Sequence, residues 1–417
     1  MVSLDREEVA DRFRRVRAAT EELASPLSPE DAMVQSMPDA SPAKWHLAHT
    51  TWFFDEFVLA PAGAGHTWDD ARWNVLYNSY YEAAGPRHPR SARGMLSRPS
   101  LEAVKSWRAR VDDAIDTLVR VADDACLRAM ELGIHHEEQH QELLLTDAKH
   151  ALYANPLRPS YRSLLSLGAR TVPAIAPPLR FAAFPESVVD VGASEGFAFD
   201  SERPRHRVLL PAFQLASRLV TNAEYIAFIE DGGYGRVELW LADGWAAVQA
   251  NGWDSPHYWE RHEEGWSAFG MGGLGSVNPG EPVTHVSFYE ADAYARWTRS
   301  RLPTEFEWES VAEQQPVRGG FLEGSNLAPA PSTVGEGIDQ MFGSAWQWTA
   351  SAYTPYPGFR PLAGAFGEYN GKFMSGQMVL RGGSCFSPQA HLRATYRNYF
   401  PPAARWQVTG IRLARDA

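Results

Sequence analysis

His135-His136-Glu137-Glu138-Gln139-His140-Gln141-Glu142-Leu143 is the stretch on which the first third of the chain turns. Histidines four residues apart on a helix lie one above the other, roughly 5.4 Å apart on one face, which suits two ligands of a single metal ion. A second stretch, Pro42-Ala43-Lys44-Trp45-His46-Leu47-Ala48-His49-Thr50-Thr51, carries His49, and an imidazole from that helix completes a three-histidine face with His136 and His140. The acidic residues and glutamines around the pair are partners able to hold ring tautomers. His46 and His135 point about 100° or more away from the ligands beside them. They are expected to form structural hydrogen bonds, and His150 to be solvated.

Outward from these segments, Leu4 to about Tyr153 carries apolar residues at three- and four-residue spacing, and four helices fit the span. The first runs roughly from Asp5 to Leu23. The second opens at Ser41-Pro42, read as a cap followed by proline at the first helical position, and continues through Phe57 with Trp45, His49 and Phe53 facing inward. The third follows Pro99-Ser100 and reaches about Val121, and the fourth spans about Asp124 to Tyr153. An antiparallel bundle is expected. The connection from about Ala60 to Pro99 holds Tyr77-Asn78-Ser79-Tyr80-Tyr81 and then Arg87, Arg90 and Arg93; its length and aromatic content point to function. Around Gly168 to Pro185 the composition turns to Pro, Ala and Arg, which reads as a linker. Beyond it, short β-like runs at Val188 to Val191 and Arg207 to Leu210 alternate with helix-like pieces at Asn222 to Ile229 and Tyr289 to Arg299, in a remainder rich in Gly and Trp. The boundaries expected are 1–165 for the bundle, 166–184 for the linker and 185–417 for the second domain.

At 417 residues the chain exceeds a single average core, and 39 basic against 51 acidic residues, with no Lys/Arg-rich run, argue against nucleic acid as a partner. The first 30 residues lack an apolar leader core and no run of eighteen apolar residues occurs, so the reading is cytoplasmic, with no membrane partner. Cys126 and Cys385 are too few for a disulfide framework or a thiolate cage, so a metal must rest on histidines and carboxylates. His136-Glu137-Glu138-Gln139-His140 also satisfies the His-Glu-x-x-His pattern of zinc metalloproteases, with Glu137 as the base. Against that rival, Leu143 and Thr146 stand where the extended pattern wants glycine and histidine, and no acidic residue follows at ligand spacing before Glu186. Three neutral imidazoles leave the full divalent charge on an ion, a site that favours an anionic incoming ligand such as a thiolate.

The second half resembles the formylglycine-generating-enzyme fold, a C-type-lectin-like α+β domain, through Phe199-Asp200-Ser201-Glu202-Arg203-Pro204-Arg205-His206, Val220-Thr221-Asn222-Ala223-Glu224-Tyr225, Arg301-Leu302-Pro303-Thr304-Glu305-Phe306-Glu307-Trp308-Glu309 and Arg381-Gly382-Gly383-Ser384. The first half is similar to a DinB-like four-helix bundle. The two together resemble the ergothioneine-biosynthesis sulfoxide synthases of the EgtB type across essentially the whole chain. Cys385 stands alone where the formylglycine enzymes use a cysteine pair, so their oxidase chemistry is not expected.

The resemblance implies non-haem Fe(II) held by His49, His136 and His140, and joining of hercynine, the trimethylammonium betaine of histidine, to a thiol with dioxygen as oxidant. It implies Tyr80 or Tyr81 as proton donor, Gln139 at the hercynine imidazole, and Asn398 and Tyr399 at the betaine within Thr395-Tyr396-Arg397-Asn398-Tyr399-Phe400-Pro401-Pro402-Ala403-Ala404-Arg405-Trp406-Gln407. Family members that take γ-glutamylcysteine carry an acidic residue where Phe400 stands and an arginine where Ala404 stands. Their absence implies a smaller donor, free cysteine, with Arg87 or Arg90 pairing its carboxylate. It fits equally a selenosugar, the donor of the closely related selenoneine synthases. Trp346 and Trp348 are expected in the core. Outside this family, a zinc metalloprotease and a binding module without turnover are the remaining readings.

Overall fold

The computed structural model describes residues 4–163, 175–324, 326–333 and 335–417. The chain divides into two compact units, Met1–Tyr161 and Arg162–Ala417. Residues 166–174 of the expected linker lie outside the described residues. Its end is corrected by the structure: Phe181–Phe184, read as linker, form a strand, because Phe184 finds a ring partner in Phe213 on the strand it pairs with.

In the first unit α1 (Arg6–Ala24), α2 (Ala43–Phe54), α4 (Leu101–Leu118) and α5 (Asp124–Ala154) are the long helices, and a short α3 (Trp73–Tyr77) lies in the long connection. The start signal acts where it was read at α4, whose Ser100 side chain accepts from Ala103 N–H, and α5 is capped by Asp123. At α2 the reading of Ser41 as the cap is corrected. Pro42 occupies the cap position with no side-chain acceptor, and the Ser41 hydroxyl accepts instead from the Arg93 guanidinium, 2.9 Å away, while Ser41 N–H is directed at the Asp147 carboxylate (2.7 Å). Beyond Phe54 the helix widens into one π turn, Asp55–Leu59. There the fully buried Asp55 carboxylate accepts from the Thr67 hydroxyl (2.7 Å) and the Trp107 indole N–H (2.9 Å), tying the long connection to α4.

Every residue of α2 is buried, so no polar face survives on it. It packs against α1, α4 and α5, and each buried Phe contributes roughly 1.5–3 kcal/mol of transfer free energy, far more than helix propensity distinguishes. Close approach to α5 requires Gly133, since a Cβ there would lie 2.6 Å from the Phe54 ring and 3.1 Å from that of Phe53. That approach brings the α2 histidine beside the α5 pair.

The second unit is α+β. In chain order it contains β1 (Phe181–Phe184), β2 (Ser187–Val191), β3 (His206–Leu210), β4 (Phe213–Ala216), α6 (Asn222–Glu230), α7 (Ala242–Asn251), β5 (Trp259–His262), β6 (Gly265–Gly270), β7 (Gly273–Ser276), α8 (Phe288–Trp297), α9 (Glu305–Ala312), β8 (Trp346–Ala352), β9 (Met378–Arg381), β10 (Asn398–Phe400), β11 (Thr409–Gly410) and β12 (Ala414–Asp416). The sheets run β1-β4-β12, β10-β9-β8-β11, β2-β3 and β5-β6-β7, antiparallel except where β11 joins β8. Trp308, Trp346 and Trp348 are fully buried, and the indoles of Trp308 and Trp348 donate to Gln347 Oε1 (2.8 Å) and Val286 O (2.9 Å). They are core.

Each of the four signature segments is held by ion pairs or capping bonds. Thr304 and Glu307 form a capping box on α9, and Glu305 and Glu309 each accept from Arg381 at 2.8 Å. Arg397 donates to Glu305 as well (2.9 Å), Thr221 and Glu224 form a second capping box with Arg218 on the glutamate, and Glu202 takes Arg393 and Thr395. These residues hold the sheets and helix starts together through buried, mutually satisfied charges. Gly383, at φ +80°, admits no side chain because its Cβ would collide with Leu392.

Candidate metal centre

One nitrogen from each of His49, His136 and His140 lies within 4.8 Å of the others, and all three residues are buried. His49 comes from α2, and His136 and His140 from successive turns of α5. The His49 Nδ1–H donates to the Tyr77 carbonyl at 2.6 Å, which leaves Nε2 bare and 3.1 Å from Nε2 of His136. A divalent ion about 2.1 Å from two nitrogens at a right angle sets them about 3.0 Å apart, so this spacing fits an ion. Burial, followed by the neighbouring imidazoles, depresses His49 and His140 well below their ordinary range, and burial brings His136 down to about 3. Three buried rings, each offering a nitrogen within 4.8 Å of the others, could hold a metal ion.

Aromatic stacking fixes the plane of His49. Trp45 stacks on it with centroids 4.5 Å apart and planes 14° apart, and Trp52 lies on its other side at 5.5 Å and 16°. The Phe53 ring, 4.5 Å away, covers His136. The indoles are held in turn by the long connection, Trp45 donating to Leu76 O (3.1 Å) and Trp52 to Asn74 Oδ1 (2.7 Å). Through these bonds and the Tyr77 carbonyl, α3 positions the histidine. Sequence reasoning missed this helix, although the aromatic content of its segment was the signal that marked it.

Glu137 is turned away from the cluster. Its carboxylate accepts from Arg17 (2.9 Å), the Thr20 hydroxyl (2.7 Å) and Arg108, all buried. Burial alone would raise this carboxyl, but Arg108 and Arg17 outweigh it and bring it down to about 2. A carboxylate clamped between two guanidinium groups is no general base toward the cluster. The zinc-protease reading is therefore corrected: the His-Glu-x-x-His spacing is present, and the glutamate serves the bundle core.

Tyr81 is fully buried, with its ring against Trp52, Phe53 and Phe57, and Tyr80 is half-buried, its hydroxyl donating to that of Tyr81 at 3.5 Å. Asn78 fixes their turn by donating to Tyr81 O and accepting from Tyr81 N–H. Gln139 lies half-buried on α5 between the two histidines. Of the arginines, Arg87 is exposed and paired with Glu82, and Arg90 is exposed and donates to Asp39 O. Arg93 is the buried one. Its guanidinium lies 3.4 Å from the centre of the Trp45 ring, donates to the hydroxyls of Ser41 (2.9 Å) and Ser79 (3.3 Å), and is brought down to about 9 by burial and then by Arg90. Its charge acts on His49 and His140. His46 is structural, as expected, and His150 departs from the solvated expectation, its Nδ1 sharing a hydrogen bond with the Ser36 hydroxyl at 2.6 Å.

In the second unit Asn398, Tyr399 and Phe400 form β10, in register with Leu380, Val379 and Met378. The Tyr399 ring stacks on that of buried Tyr353 at 4.1 Å and 13°, with Arg397 4.8 Å from the far ring. Phe400 is half-buried and Ala404 buried.

A histidine-bearing bundle joined to a lectin-like domain defines a two-domain class, and both parts match known families. The DinB superfamily matches residues 12–144, and the sulfatase-modifying factor enzyme 1-like domain matches residues 183–331 and 329–417. The chain is 35% identical to a hercynine oxygenase of Mycolicibacterium thermoresistibile over 91% of its own length and 88% of that protein. It is 33% identical to a hercynine oxygenase of Mycobacterium tuberculosis over 98% and 99%. The chain belongs to the hercynine oxygenase family, the EgtB-type ergothioneine-biosynthesis enzymes. No described helix is long and apolar enough to cross a membrane.

Proposed function

We propose that the protein is an Fe(II)- and dioxygen-dependent oxidoreductase that joins the imidazole carbon of hercynine to the sulfur of cysteine as a sulfoxide. The convergence of three neutral histidine nitrogens in a wall of aromatic rings carries this reading, together with membership of the family. His49, His136 and His140 would hold the iron, which supplies redox chemistry toward dioxygen when bound. Forming the carbon–sulfur bond removes two electrons and oxidising sulfur removes two more. Dioxygen accepts all four, one oxygen entering the sulfoxide and the other leaving as water with the two displaced hydrogens.

Arg93 would receive the donor carboxylate. A buried guanidinium with no carboxylate at ion-pair distance among the described residues is costly unless a ligand completes it, whereas Arg87 and Arg90 are exposed and already engaged. Arg93→Met is therefore expected to raise the KM for the donor about tenfold or more, while leaving the KM for hercynine within about threefold and the melting temperature unchanged or higher. Equal changes in both KM values would remove this role. Gln139 would meet the hercynine ring. The Tyr80–Tyr81 pair would deliver the proton.

Iron-loaded protein given hercynine with cysteine, γ-glutamylcysteine or a selenosugar separately, with oxygen uptake and product mass recorded, tests the reading. One dioxygen consumed per hercynyl-cysteine sulfoxide is expected with cysteine, and little turnover with γ-glutamylcysteine, because Phe400 and Ala404 offer a glutamyl group no charge. Turnover with the selenosugar alone would replace the sulfur donor by selenium. Oxygen consumption with none of the three would remove the enzymatic reading in favour of a binding module.

A further inference from the structure

We infer that His46 and Asp147 are a positioning pair for His140, fixing which of its nitrogens faces the metal and thereby how tightly the three-histidine site binds a divalent ion. This rests on the metal-site reading above. Asp147 lies seven residues beyond His140 on α5, two turns along the same face, and His46 lies three residues before His49 on α2. His46 Nε2 is 3.0 Å from Asp147 Oδ2, and His46 Nδ1 is 2.9 Å from His140 Nδ1. Both residues of the pair are buried.

The proton order along this chain follows from its end. A carboxylate only accepts, and the same Oδ2 already takes Ser41 N–H at 2.7 Å, so His46 donates Nε2–H to it. His46 Nδ1 is then bare and accepts Nδ1–H from His140, which leaves His140 Nε2 as its lone pair for an ion. A half-turn of the His140 ring would break this bond and bury an unpaired N–H, so the pair holds ring direction as well as tautomer.

The arrangement differs from that at His49, whose partner is the Tyr77 carbonyl and is beyond the reach of side-chain substitution. His140 depends on two side chains that can be exchanged. The pair also spans from α2 to α5, so it links the helix of His49 to the helix of His136 and His140.

Metal affinity, measured without oxygen by competing Fe(II) against a chromogenic chelator, and the visible absorption of the Co(II)-loaded protein test the inference. His46→Phe is expected to weaken binding by about ten- to a hundredfold and to alter the Co(II) spectrum. His46→Gln, whose amide oxygen accepts from His140 and whose NH2 donates to Asp147, is expected to recover most of the loss. Asp147→Leu, which leaves His46 Nε2–H without its acceptor, is expected to weaken binding about tenfold, and it decides the matter if His46→Phe does not fold. Affinity within twofold of the parent protein in both His46→Phe and Asp147→Leu would overturn the inference. Failure of the parent protein itself to bind Fe(II) or Co(II) would overturn the metal-site reading instead.

Discussion

His136→Ala is expected to lower affinity for Fe(II) by at least about a hundredfold and to abolish turnover, because a set of three ligands reduced to two loses about a third of its binding free energy. His136 Nε2 lies 3.1 Å from His49 Nε2, and its ring packs on Phe53, so alanine also leaves a cavity. His136→Gln separates the two effects by keeping most of the volume while displacing the donor atom. It is expected to fold with a melting temperature close to that of the parent protein and still to lose the metal. Iron content after anaerobic loading and gel filtration reads the result directly. Full iron content in both variants would show that the three rings do not share an ion.

Glu137→Gln carries the second large effect, on stability. The carboxylate is the common acceptor for Arg17, Arg108 and Thr20 in the centre of the bundle, and neutralising it leaves two buried guanidinium charges short of their partner. Breaking a buried pair in this way costs about 3–5 kcal/mol, or about 6–20 °C in the melting temperature of a domain this size. Asp112, 2.6 Å from Arg17, offsets part of the loss. The part that remains folded is expected to retain turnover within a few-fold. The opposite outcome, an unchanged melting temperature with activity lost, would make Glu137 a base at the site and restore the hydrolytic reading.

These two residues, neighbours in the chain, show how far the order of amino acids reaches. Their types and spacing place His136 and Glu137 on different sides of one helix, and helical geometry fixes that separation without reference to anything else. Which side joins the histidine cluster and which faces arginine depends on Arg17 from α1 and Arg108 from α4, contacts more than 25 residues away in sequence. The signature segments of the second unit were legible as family motifs, and the structure shows that two of them are also local devices, capping boxes at Thr221 and Thr304 written within four residues. Their pairing was not. Arg381 on Glu305 and Glu309, and Arg393 on Glu202, join segments 72 to 191 residues apart.

The misread cap at Ser41 has a similar cause. A serine before a proline carries the local signal for a helix start, and a distant guanidinium, that of Arg93, took its hydroxyl oxygen instead. Among the arginines of the long connection, charge and spacing alone could not rank Arg93 above Arg87 and Arg90. Burial against Trp45 does, and burial is a property of packing.

By itself the sequence determined the helical first half, the three histidines as a set, the α+β character of the second half and the family, because periodicity, capping and motif spacing are local and survive in one dimension. Tertiary structure alone decided the turning of Glu137 into the core, the burial of Arg93 and the chain from Asp147 through His46 to His140. Each of these sets a proton or a charge through a contact between segments distant in the chain, and the last of them forms because the close approach at Gly133 brings α2 onto α5.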